Sequence, residues 1–244
     1  LNNGAGVFTV GAAIGPVGTN TTMTVAQGDL NGDGLPDLVV GGDNAQLGWY
    51  ANLGGGAFGP QQTIPGYVAP AQPHCGDVDG DGDDDLIVFG MADGTVWYAN
   101  DGSGGLVVGG TIPSEVPLVI ADLDGDGDVD FSKDTGTSCD VHVLQNQGGA
   151  AWTTLVVETV DGYNLSGTRY GVGDMDGDGR DDLLTSGGMD VPGWYPNQGG
   201  GTIGPRMRFC QSMGGGYDIS ASDIDQDGDQ DLVTASRYGD WVCW

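Results

Sequence analysis

Basic residues and glutamate are nearly missing from this chain. Six Lys and Arg stand against thirty-five acidic residues, a formal charge of −29. A surface so negative repels a phosphate backbone and an anionic membrane face alike, which argues against nucleic acid as a partner. Only two of the acids are Glu (Glu115 and Glu158), whereas forty-nine residues are Gly. Gly costs about 1 kcal/mol per helical position relative to Ala, so long helices are not expected. The apolar residues fall in short runs, none long enough to span a membrane, and no membrane insertion is expected. No signal-peptide pattern opens at Leu1, as expected of a mature protein or of a domain of a larger secreted one.

What the chain has in excess is aspartate at fixed spacing. Five copies of the loop Asp-x-Asp/Asn-x-Asp-Gly-x-x-Asp begin at Asp29, Asp77, Asp122, Asp174 and Asp223, at intervals of 48, 45, 52 and 49 residues. Around each loop the same order recurs: a short run before it, an apolar run after it, an aromatic strand such as Trp49-Tyr50, an Asn-x-Gly turn and a fourth strand such as Phe58 to Ile64. Four short strands per repeat describe a propeller blade. The expected fold is all-β, one domain over residues 1–244: a five-bladed β-propeller of four-stranded antiparallel blades. Asn2 to Phe8 matches Asn52 to Phe58, so the N-terminal strand is expected to complete the last blade and close the ring. The small residues before each loop (Gly28, Gly76, Ala121, Gly173, Ser222) are read as structural, and the Trp-Tyr strands as packing between blades.

The loops occupy 29–37, 77–85, 122–130, 174–182 and 223–231. Positions 1, 3, 5 and 9 offer side-chain oxygens: Asp29, Asn31, Asp33 and Asp37; Asp77, Asp79, Asp81 and Asp85; Asp122, Asp124, Asp126 and Asp130; Asp174, Asp176, Asp178 and Asp182; Asp223, Asp225, Asp227 and Asp231. Position 7 (Leu35, Asp83, Asp128, Arg180, Asp229) would add its backbone carbonyl, with the Arg180 side chain pointing outward. Hard oxygen donors wrapped this closely suit Ca2+, whereas zinc would want His or Cys and magnesium a stricter octahedron. Four carboxylates in one small loop repel each other strongly without a cation. An EF-hand is disfavoured because position 12 carries Val40, Val88, Lys133, Thr185 or Thr234 in place of Glu and the flanks read as strands. About five calcium sites are therefore expected, the first the weakest because of Asn31; the fifth has Gln226 where the other loops have Gly.

These loops, with the Trp-Tyr-x-Asn-x-Gly-x-Gly-x-Phe strand and turn, resemble the FG-GAP/VCBS repeats of integrin α-chain propellers and of many secreted proteins. The resemblance covers essentially the whole chain. It implies calcium at the positions named above and a secreted, extracellular protein of adhesion or recognition. It departs from integrins in having five repeats rather than seven blades, and in reducing the FG-GAP tetrapeptide to Phe58-Gly59-Pro60 and Ile203-Gly204-Pro205.

Strand counting puts the calcium loops and the turns between third and fourth strands on one face. A glycan or protein ligand is expected on the other, where the candidates are Tyr67, His74, Tyr163, Arg169, Tyr170, Tyr217, Arg237 and Tyr238. The leading expectation is a recognition or adhesion module held together by calcium; the alternative is a lectin with several equivalent carbohydrate-binding sites. A propeller glycosidase or lyase comes last, because the inner strands offer no acid pair and His74 and His142 have no catalytic pattern around them. No enzymatic activity is expected. The four cysteines lack the close spacing of a zinc site and suit two disulfides; Cys75 with Cys139 and Cys210 with Cys243 would join adjacent repeats. Asn20 and Asn164 fit the glycosylation acceptor pattern.

Overall fold

The computed structural model describes residues 7–11, 14, 23–42, 47–64, 72–90, 94–113, 117–133, 140–149, 151–159, 169–187, 190–209, 216–236 and 242–243. The first repeat folds as β1 (Met23–Gly28), β2 (Asp37–Gly42), β3 (Gly48–Tyr50) and β4 (Gln62–Thr63), and the second as β5 (Gln72–Gly76), β6 (Asp85–Gly90), β7 (Gly94–Ala99) and β8 (Val107–Ile112). The third comprises β9 (Pro117–Ala121), β10 (Asp130–Lys133), β11 (Asp140–Asn146) and β12 (Trp152–Thr159). The fourth comprises β13 (Arg169–Gly173), β14 (Asp182–Gly187), β15 (Asp190–Tyr195) and β16 (Met207–Arg208). The fifth has β17 (Gly216–Ser222), β18 (Asp231–Ser236) and β19 (Val242–Cys243).

Each repeat is one antiparallel sheet with its strands in sequence order. These are the blades of an all-β propeller; among the described residues there is no helix, and hence none long and apolar enough to cross a membrane. Among the described residues complete four-stranded blades number four rather than the five expected: the fifth repeat forms a three-stranded sheet, β17-β18-β19. Residues 1–6, most of the segment expected to supply its missing strand, lie outside the described residues. The fourth strand of the first blade is also shorter than expected. Asn52 bridges to Phe58 and the Gly59 amide donates to the Ala51 carbonyl at 2.8 Å, so the first part of that segment closes the turn before β4 begins.

The chain divides into two compact units, Leu1–Glu115 and Val116–Trp244. In the first, β1 packs beside β5; in the second, β13 packs against both β9 and β17. A second strand flanked on both faces must be apolar at consecutive positions rather than alternating. Leu86, Ile87, Val88 and Phe89 on β6 are accordingly all buried. Leu30, Val39, Trp49, Leu86, Val88 and Tyr98 form the core of the first unit, which bears out the aromatic strands as packing. The third blade carries Val143 and Leu144 where the others carry aromatics, and both are buried.

Before the first and fourth loops the small residue has a local cause. A Cβ on Gly28 would lie 2.5 Å from Cys75 Cβ and 2.9 Å from both Cys75 Sγ and Asp84 Oδ2; one on Gly173 would lie 2.4 Å from Ala221 Cβ. The inner strand of the next blade occupies the space. The same contact corrects the expected disulfide: Cys75 is a free thiol, set against Gly28 of the preceding blade instead of toward the following repeat. Burial, then the charges of Asp84 and Asp37, push its pKa up to about 12, which leaves it unreactive. Cys139 and Cys210 lie outside the described residues, as do Asn20 and Asn164.

Candidate metal centres

Each loop is shaped by its own carboxylates. The position-1 side chain accepts amides from the loop that follows it. Asp174 is held by Gly177 at 2.8 Å, Asp178 at 3.1 Å and Gly179 at 2.8 Å. The Gly179 bond leads in keeping the Asp174 carboxyl below its ordinary range, despite some opposing desolvation. Asp29, Asp77, Asp122 and Asp223 accept the amide of the position-6 glycine in the same way. That glycine has positive φ in all five loops, from 81° at Gly34 to 103° at Gly228, which is why no larger residue stands there.

The position-9 carboxylate clamps two segments. One oxygen accepts the position-2 amide, as in Leu30 to Asp37 (3.1 Å), Val78 to Asp85 (2.9 Å), Leu123 to Asp130 (2.9 Å), Met175 to Asp182 (2.9 Å) and Ile224 to Asp231 (3.0 Å). The other accepts the amide of the turn Asn: Asn52 at 2.7 Å, Asn100 at 2.8 Å, Asn146 at 2.7 Å and Asn197 at 2.8 Å. The loop and the Asn-x-Gly turn therefore do share one end of each of these blades. The four asparagines are binding-loop anchors that sequence reasoning took only for turn formers. Their recurrence fifteen or sixteen residues after position 9 was the available signal.

Positions 1, 3 and 9 converge. In Asp77/Asp79/Asp85, Asp122/Asp124/Asp130, Asp174/Asp176/Asp182 and Asp223/Asp225/Asp231, one oxygen from each residue lies within 4.8 Å of the others. The first loop has Asn31 at position 3 and so lacks the third carboxylate. Position 5 stands apart from these groups. Its Oδ1 accepts the position-7 amide at 2.9 to 3.0 Å, at Asp33, Asp81, Asp126, Asp178 and Asp227.

The electrostatics call for a counter-charge. Burial pushes Asp85 up to about 6 and Asp130 up to about 8, against the opposing pull of their amide donors. Asp124 is pushed up to about 6 by burial and by Asp126 and Asp122 beside it. The exposed Asp225 is raised first by Asp227. Most telling is Asp79, whose Oδ1 is buried without any hydrogen-bond partner within its triad. A desolvated carboxylate oxygen lacking a donor is costly unless a cation meets it. With no His or Cys among the donors, the set fits a hard divalent cation.

Position-7 side chains lie against the glycine of their own blade's turn: Leu35 by Gly54, Asp83 by Gly102, Asp128 by Gly148 and Arg180 by Gly199. The Arg180 side chain does not point outward. It folds back, pairing its Nη2 with Asp178 Oδ2 and donating from Nε to the Asn197 carbonyl at 3.0 Å. A cleft of about 240 Å³ opens between loops four and five, lined by Asp174, Asp176, Asp229 and Gln230 among others.

The ligand candidates divide. Arg169 is exposed at the end of β13 remote from its loop, and His74 is exposed on β5, its ring 5.1 Å from that of Phe89. Tyr170 is core, packed with Leu123, Val141, Val143, Leu183 and Tyr195, so it is not part of a recognition surface. Tyr67, Tyr163, Arg237 and Tyr238 lie outside the described residues, and of Tyr217 only the backbone, in β17, is described.

A family model described as FG-GAP-like repeat matches residues 29–88, 77–131 and 174–234, each span running from the start of one acidic loop through the next. No curated protein matches the chain.

Proposed function

Because the chain belongs to the FG-GAP-like repeat family, we propose that it is an extracellular recognition module, held in shape by calcium, that binds a glycan or another extracellular protein. The observation that carries the calcium reading is the convergence of three carboxylates within 4.8 Å in four successive loops. Asp, with Asn31 in the first loop, would hold the ion at positions 1, 3 and 9. The ion would supply charge neutralisation, and because the loop is assembled only in the fold, binding free energy becomes folding free energy. A ligand surface on the blade ends remote from the loops, where Arg169 stands exposed, leaves the metal sites free for a structural role.

Two measurements test this. Thermal unfolding of metal-stripped protein should shift upward by well over ten degrees on adding millimolar calcium and much less with magnesium; equal melts with and without calcium reject the structural role. A glycan array, and a pull-down from extracellular matrix extract, each run with and without calcium, then ask for the ligand. Silence in both rejects the recognition reading, and several equivalent glycan sites per chain make the protein a lectin.

A further inference from the structure

We propose that Arg180 is a tethered counter-ion of the fourth loop, which holds Asp178 when no divalent ion is bound and lowers that loop's affinity for one. The inference rests on the calcium reading above. Its evidence lies in what distinguishes loop four from loops with the same backbone. Position 7 carries Leu35, Asp83, Asp128 and Asp229 elsewhere, all neutral or acidic; only in loop four is it basic. In each of the first four blades this side chain lies against the glycine of the turn, and Arg180 does the same against Gly199. Being longer, it reaches back to its own loop, with Nη2 on Asp178 Oδ2 and Nε on the Asn197 carbonyl. The Asn197 amide in turn donates to Asp182, the position-9 carboxylate, at 2.8 Å. The guanidinium is thus fixed from two sides, beside a triad formed by Asp174, Asp176 and Asp182.

Asp178 stands outside that triad, so the effect on metal affinity runs through charge: a positive charge fixed on the same loop repels a divalent ion held by Asp174, Asp176 and Asp182. Water screens the repulsion, since Arg180 and Asp178 side chains retain 38% and 28% of their exposure. The expected effect is therefore moderate, about tenfold in the dissociation constant of one site. In the metal-free protein the sign reverses, because there Arg180 offsets the mutual repulsion of the acids.

The test compares wild type with Arg180→Gln and Arg180→Lys, using calcium titration by calorimetry and thermal melts with and without calcium. Arg180→Gln should tighten one site about tenfold, leave the rest alone, and lower the melting temperature of the metal-stripped protein. Arg180→Lys, which keeps the charge, should stay near wild type. In an Asp176→Asn background, where loop four has lost an exposed ligand, Arg180→Gln should no longer tighten any site. Unchanged calcium affinity in Arg180→Gln, or a lower melting temperature in both states without any gain in affinity, overturns the proposal while leaving the calcium reading intact. If wild type binds no calcium at any site, the calcium reading fails and takes this inference with it.

Discussion

The backbone amide of Asp29 donates to Oδ2 of Asp84 at 2.9 Å, across fifty-five residues and from one blade to the next. Asp29 opens the first loop, and Asp84 occupies position 8 of the second. Asn100 strengthens the same junction, donating through Nδ2 to the Leu30 carbonyl at 3.0 Å and to the Asp84 carbonyl at 2.9 Å. One loop is thus built partly by its neighbour. In the second unit Gln230, also at position 8, lies against Gly173 of the fourth blade in the same manner.

Replacing Asp84 by Ala should remove that tie and cost about 1–2 kcal/mol, since the Asp29 amide is only partly buried and water can replace its partner. Asp84→Asn retains an acceptor oxygen and should recover most of the loss. Urea unfolding of the three proteins in saturating calcium measures it; equal midpoints for wild type and Asp84→Ala would show that the bond contributes nothing.

The loops were legible in the sequence because everything that defines them lies within nine residues. Asp77 needs only Gly82 and Asp85 near it in sequence to be recognised. The tie from Asp29 to Asp84 was not legible, because no local pattern says which residue of a neighbouring blade a position-8 side chain meets. Tyr170 failed for a related reason: a five-residue strand with Tyr at its second place does not reveal which face looks inward. Arg180 was read from its backbone role alone, and the reach of a long side chain onto Asp178 depends on where the Asn197 turn packs. The count of complete blades depended on pairing between distant segments, which repeat spacing does not report.

Calcium binding at loop three should release protons. Burial raises the Asp130 pKa from 3.8 to about 8, so the metal-free fold holds a proton there that the unfolded chain has lost by pH 6. A raised carboxyl pKa makes the metal-free protein lose stability as pH climbs from about 4 to about 8, and calcium, by favouring the ionised form, reverses the loss. Calorimetry at pH 7 in buffers of different ionisation enthalpy should show about one proton released per chain from this group, falling to none by pH 9. Calcium binding whose heat does not depend on the buffer at pH 7 would show that Asp130 is already ionised.

Gln226 should be replaceable with profit. Its φ is +64°, the only positive value at a non-glycine among the described residues, and it stands where Gly32, Gly80, Gly125 and Gly177 have φ between 70° and 81°. The left-handed region costs a residue with Cβ about 1–2 kcal/mol, and glycine's extra freedom in the unfolded chain returns about half of that. Gln226→Gly should therefore stabilise the protein by about 0.5–1 kcal/mol and raise the melting temperature by a few degrees. A fall in melting temperature would mean that the Gln226 side chain contributes more than its backbone strain takes away.

Tyr195 and Glu158 offer a test of how the third and fourth blades are joined. Tyr195 is 1% exposed on β15, and its hydroxyl donates to Glu158 Oε2 on β12, with Arg206 Nη1 4.0 Å from the same oxygen. Burial first, then the bond to Glu158, push the Tyr195 pKa upward, so its phenol should stay protonated when exposed tyrosines ionise. Tyr195→Phe keeps the ring in the core and removes only the hydroxyl. Because Glu158 retains 30% of its exposure and keeps Arg206 nearby, the loss should be about 1–2 kcal/mol rather than the full cost of an uncompensated buried charge. Glu158→Gln should cost less, since an amide oxygen still accepts from the phenol. A double-mutant cycle separates the bond from the packing: coupling near zero would mean that the aromatic core holds the two blades together and the polar pair merely fills a gap between them.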